Sequence, residues 1–129
     1  MTENDFSICH SLKQESEDLK YRLSVLKAQT DVFHFTLSLP TKQAKHTVDF
    51  FENIGKIERI WVEKIIKSLA HIQRVEEAIQ ALPRPESRTI MRLHYVDGLT
   101  WEQIENKTYL SRRQCIRLRD DAFTTMGIP

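Results

Sequence analysis

The stretch Thr100–Thr125, TWEQIENKTYLSRRQCIRLRDDAFTT, holds two helix starts in close succession. Thr100-Trp-Glu-Gln103 and Ser111-Arg-Arg-Gln114 each place a hydroxyl three residues ahead of a glutamine. That is the spacing of a reciprocal capping box, in which hydroxyl and amide satisfy each other's backbone N–H. The pattern predicts a short helix ending near Lys107, a turn over Thr108–Leu110, and a helix from Arg112 to Thr125 that stops before Gly127 and Pro129. Trp101 and Ile104 fall on the inner side of the first helix. Cys115, Leu118 and Ala122 repeat at steps of 3 and 4 on the second.

If that face points inward, Arg112, Arg113, Gln114, Arg117 and Arg119 are left outside. The run Lys107–Arg119 holds five basic residues and no acidic one. Short helix, tight turn and basic helix together read as a helix-turn-helix whose last helix, 112–125, enters the major groove of double-stranded DNA. Arginine offers a forked donor to guanine O6 and N7, and glutamine both donates to and accepts from adenine. The first turn of a helix favours phosphate. The candidate DNA-binding residues are therefore Thr100, Lys107, Ser111, Arg112, Arg113, Gln114, Arg117 and Arg119. The plain alternative is a solvated helix surface. Trp101 and Tyr95 have the chemistry to stack on bases, but their spacing is that of core residues. Asp120-Asp121 either pairs with Arg117 or marks the edge of the footprint.

Upstream, Ile90, Leu93 and Tyr95-Val96 mark a helix that stops at Asp97-Gly98, a left-handed cap. Leu82-Pro-Arg-Pro85 precedes it, and neither proline can donate a helix hydrogen bond. A domain boundary is expected here, with 1–82 as a helical coiled-coil and dimerisation region and 83–129 as a DNA-binding domain. The charge divides the same way. Residues 1–82 carry 11 Lys+Arg against 12 Asp+Glu, and 83–129 carry 8 against 6.

The run LPRPESRTIMRLHYVDGLTWEQIENKTYLSRRQCIRLRDDAF resembles region 4 of bacterial sigma factors. Tyr95-Val-Asp-Gly98, Thr100-Trp-Glu-Gln-Ile104 and Ser111-Arg-Arg113 carry the likeness. With its coiled-coil front, the whole chain resembles small phage and prophage transcriptional regulators of the ArpU type. That resemblance implies control of phage late genes, with Arg113, Gln114 and Arg117 reaching bases and Arg112 nearer the backbone. Glu105-Asn106-Lys107 departs from the usual Ala-containing helix end, and Cys115 stands where Val or Ile is common. The resemblance does not extend to the sigma regions that melt DNA, so a full sigma factor is not expected.

Toward the N-terminus, Leu12, Leu19, Leu23, Leu26 and Phe33, with Ser16 and Thr30 between them, trace a heptad seam on a helix of roughly residues 5–30. Residues 31–47, which include Pro40, lose the period and read as a connector with room for a helical turn at either end. From Val48 to Leu82 the seam returns through Phe51, Ile54, Glu58, Trp61, Ile65, Ser68, Ile72, Val75, Ile79 and Leu82. Ile57, Val62, Ile66 and Leu69 widen the apolar face beyond what one partner helix covers. The expected fold is all-α: a long-helix coiled-coil hairpin followed by the helix-turn-helix. The rods either fill a small core within one chain or join two chains through Trp61, Ile65, Ile72, Val75 and Ile79.

Composition agrees with a helical, ordered chain. Of 129 residues, 40% are hydrophobic and 29% charged, and 3 Gly with 4 Pro are too few for a turn-rich β fold or a glycine-rich phosphate loop. Cys9 and Cys115 have no CxxC neighbour, which predicts free thiols in a reducing compartment. MTENDFSICH lacks the basic start and apolar core of a signal peptide, and no apolar run is long enough to cross a membrane. The expected location is the cytoplasm of a bacterial host. The five histidines have no metal-binding spacing and no nucleophile motif occurs, so neither metal, cofactor nor enzyme activity is expected. Two function classes remain. One is a sequence-specific DNA-binding transcriptional regulator that acts as a homodimer; the other is an adaptor that docks on RNA polymerase or another regulator with little DNA affinity of its own.

Overall fold

A computed structural model of the chain describes residues 1–37 and 44–129, with the side chains of 32–37 and 44–50 set aside. The described residues are all-α. α1 spans Glu3–Ser7, α2 Cys9–Leu37, α3 Ala44–Gln80, α4 Pro85–Met91, α5 Trp101–Thr108 and α6 Arg112–Thr125. A π-helical turn, Arg92–Val96, continues α4.

The first helix differs from expectation at both ends. It is interrupted at Ile8, so that α1 is a separate turn-and-a-half whose Thr2 N–H is held by the Asp5 carboxylate at 2.6 Å. It then runs on to Leu37, through a stretch free of Gly and Pro where loss of the heptad period does not remove helix propensity. α3 likewise starts at Ala44 rather than Val48. The expected connector over 31–47 is therefore helical at both ends, and its centre, 38–43, lies outside the described residues, as does the side chain of Phe33. At the far end of α3, Pro83 and Pro85 stop the helix as expected, and Pro85 takes the first position of α4.

The chain forms two compact units, 1–14 with 68–129, and 15–67. Pro83 thus lies inside the first unit. The physical reason is in its core. Phe6 and Cys9 from the N-terminal segment, Val75, Ile79 and Leu82 from α3, and Met91, Tyr95, Val96, Ala122, Phe123 and Ile128 form one cluster. Residues 83–129 alone leave that cluster open on one side. The rings of Phe6, Tyr95 and Phe123 meet pairwise at 5.4–5.8 Å, with Phe6 edge-on to both of the others. His10 Nδ1 bonds to the Val96 carbonyl at 3.0 Å, His71 Nε2 to the Asp5 carbonyl at 2.7 Å, and Arg92 pairs with Glu76 at 3.1 Å.

This core takes in three of the five residues expected to join two chains. Val75 and Ile79 are fully buried, and Ile72 packs against them. These three face the N-terminal segment and the C-terminal helices of their own chain.

In the second unit the heptad seam is the inward face. Ser16 and Leu19 of α2 and Ile54 and Ile65 of α3 are buried, and Leu23, Leu26, Thr30, Phe51, Glu58 and Trp61 are half-buried. Lys64 pairs with Glu15. Outside the seam Ile57, Ile60, Val62 and Ile66 stand exposed, Ile60 and Ile66 at 61%. Among the described residues, the apolar surplus read from the sequence stands exposed. Among the described residues no helix is long and apolar enough to cross a membrane.

Candidate nucleic-acid interface

α5 and α6 stand on a second small cluster made by Ile90, Leu93, Ile104, Cys115 and Leu118, with Leu99, Trp101 and Leu110 at its margin. The α4–π helix separates the two clusters. Its Ile90 and Leu93 face this one, while its Met91, Tyr95 and Val96 face the other. The spacing does this: residues three or four apart share a side of a helix, whereas Leu93 and Tyr95, two apart, fall on opposite sides. The helix ends at Asp97, and Gly98 takes φ +75°. The backbone there favours glycine, and a β-carbon would collide with the His10 ring and push it aside.

Both capping boxes form. Thr100 Oγ1 accepts from the Gln103 N–H at 3.2 Å, and Gln103 Oε1 accepts from the Thr100 N–H at 2.9 Å. Ser111 Oγ accepts from the Gln114 N–H at 3.2 Å, and Gln114 Oε1 accepts from the Ser111 N–H at 2.9 Å. Between them Tyr109 closes α5 in the left-handed region, and Ser111 begins α6 at Arg112.

Cys115, Leu118 and Ala122 are the buried face of α6. Burial, with Glu105 adding to it, pushes the Cys115 thiol up, so it is a neutral core group. On the opposite face Arg112, Arg113, Gln114 and Arg117 are exposed. Arg113 and Arg117 are one helical turn apart and have no ion-pair or hydrogen-bond partner among the described residues. Arg112 leans back toward Glu105, at 3.9 Å. One turn beyond Arg117 the face becomes acidic, but Asp120 pairs with Arg119 and Asp121 with Arg84, so neither pairs with Arg117. The positive surface is confined to the N-terminal half of α6.

The structure distributes the eight candidates by role. Arg113 and Arg117 present unengaged guanidinium groups, and Lys107 is exposed at the end of α5. Thr100 and Ser111 act as helix caps, and Gln114 is folded back onto Ser111 rather than extended outward. Arg119 is the clearest departure from expectation. Its guanidinium lies 5.7 Å from the Trp101 ring centroid, and Trp101 in turn stacks on His94 at 3.9 Å. The arginine therefore sits at the side of α6, covering the apolar margin with its stem. His94 donates from Nδ1 to the Leu99 carbonyl at 2.8 Å, and burial holds its pKa below the usual imidazole range. Neither this stack nor the special place of Tyr109 was read from the sequence. The signal for Tyr109 was present: the turn 108–110 contains neither Gly nor Asn to take a left-handed position.

Among the described residues no group of His, Cys, Asp or Glu is arranged to hold a metal. Comparison of the chain with family models, curated proteins and solved structures finds no match in any of the three.

Proposed function

We propose that this chain is a sequence-specific DNA-binding transcriptional regulator in which α5, the turn and α6 act as a helix-turn-helix. The observation that carries the reading is the pair Arg113 and Arg117, exposed and with no partner among the described residues, on the outer face of a capped helix whose inner face is fixed in a core. Guanidinium groups left in that state on a rigid helix suit bidentate contact with guanine or phosphate. The N-terminus of α6 adds backbone N–H groups and the positive end of the helix dipole. The sigma region 4-like sequence adds to this reading, and with it a phage or prophage setting in late-gene control.

Selection of bound duplexes from a random library, followed by anisotropy titration at two salt concentrations, tests it. A regulator enriches a defined sequence and binds it far better than scrambled DNA, with affinity falling steeply as salt rises. Arg113→Ala or Arg117→Ala then weakens the selected site by about 1–3 kcal/mol and relaxes base choice. Equal loss on every duplex would reduce both arginines to backbone contacts, and no binding at low salt would end the reading.

The exposed Ile57, Ile60, Val62 and Ile66 favour a protein partner as well. A second copy of the chain suits a regulator that binds two half-sites, and sedimentation with and without Ile66→Lys reports it. An adaptor that docks on RNA polymerase through the same face instead captures polymerase while leaving duplex DNA unbound.

A further inference from the structure

Tyr109 is the single non-glycine residue with positive φ among the described residues, at φ 61° and ψ 18°. Its backbone N–H donates to the Glu105 carbonyl at 2.9 Å and closes α5. Glycine or asparagine serves that geometry best, since a β-carbon is disfavoured there and an aromatic side chain more so. The fold returns nothing for the ring. Tyr109 is 93% exposed, the most exposed large apolar side chain described, and no hydrogen bond, ring contact or cation engages its phenol among the described residues. Folding alone would favour another residue at this position.

The ring's place in the chain supplies a reason for it. Two residues on, Ser111 caps α6, and Arg112 and Arg113 form its first turn. Tyr109 therefore stands at the rim of the basic face, beside the helix end that favours phosphate. A tyrosine there offers a flat apolar ring and a hydroxyl donor, which together fit the sugar and phosphate of a DNA strand along the groove edge.

We propose that Tyr109 is a DNA-contacting residue that sets the depth of α6 in the groove by packing on the backbone and donating its hydroxyl to a phosphate. This rests on the DNA-binding reading of α6. A backbone contact carries no sequence information, so its loss weakens every duplex alike. A neutral side chain also releases no counterion, so the salt dependence of binding stays as it was.

The test compares the full-length chain with Tyr109→Gly and Tyr109→Phe, using the library-selected duplex and a scrambled one. The expected result for Tyr109→Gly is a thermal midpoint at or above that of the parent, with affinity for both duplexes lowered about 3- to 10-fold and an unchanged salt slope. Tyr109→Phe loses most of the same affinity with the midpoint unchanged. Unaltered affinity in Tyr109→Gly, or a loss accompanied by a lower midpoint, overturns the contact. Parent-like binding by Tyr109→Phe overturns the phosphate bond. Failure of the parent chain to bind any duplex at low salt overturns the reading of α6 instead, a result separable from the others because it precedes them.

Discussion

Replacement of Gly98 by alanine tests how the N-terminal segment is latched to the C-terminal helices. At φ +75° an alanine is strained by about 1–2 kcal/mol. Its β-carbon would also lie 2.4 Å from the His10 ring, well inside contact distance, so the imidazole must swing away. That movement breaks the 3.0 Å bond from His10 to the Val96 carbonyl, worth a net of about 1 kcal/mol. The lower entropy of an unfolded alanine returns about 0.5 kcal/mol. The net loss is about 2 kcal/mol, which for a chain of this size lowers the thermal midpoint by roughly 6–12 °C. Urea titration followed by helical circular dichroism measures it. A double-mutant cycle with His10→Ala separates the two contributions, because without the ring Gly98→Ala retains only the backbone strain. The cycle should show a coupling of about 1 kcal/mol. Equal cost on both backgrounds would refute the clash, and a loss under about 0.5 kcal/mol in the parent would refute the backbone argument as well.

Two further outcomes follow from the site. Gln114→Glu places a carboxylate where the amide now caps Ser111, so the thermal midpoint should rise by a few degrees while the added negative charge beside Arg113 weakens duplex binding. A fall in the midpoint would show that the cap is not what the side chain supplies. His94, held neutral chiefly by burial, has a folded pKa below its ordinary 6.5, so the unfolded chain takes up the proton first. Its contribution is intact above pH 6.5 and is lost as pH falls below that value through the folded pKa. His94→Asn keeps a donor for the Leu99 carbonyl without titrating, and melts between pH 7 and 5 should show a shallower decline than the parent. An identical decline would move the effect to other groups.

Signals that act within a few residues were legible in the sequence. The hydroxyl-to-glutamine spacing places Thr100 and Ser111 at helix starts, and α6 occupies Arg112–Thr125 with Cys115, Leu118 and Ala122 inward. Heptad steps likewise identify the inward residues of α2 and α3, because helix periodicity alone decides which side chains share a face. What covers that face is not local. Val75 and Ile79 carry the same period as Ile65, yet they meet Phe6 and Tyr95, and nothing around Phe6 announces that partnership. Arg119 shows the same limit: its charge and position match those of its neighbours, but the nearby Trp101 ring turns it aside. The π turn over Arg92–Val96 was not read from the sequence either.

The ring contacts of Phe6 with Tyr95 and Phe123 join the first turn of the chain to its last helix. On the ribosome the segment holding Phe6 is made well before its partner on α6. At about 5–20 residues per second, Phe6 waits several seconds for Phe123. During that wait the apolar side of Val75 and Ile79 lacks Ala122 and Phe123, and α4 has emerged without the α6 residues that pack on it. This unit therefore closes only once α6 has emerged and brought Ala122 and Phe123 onto the cluster.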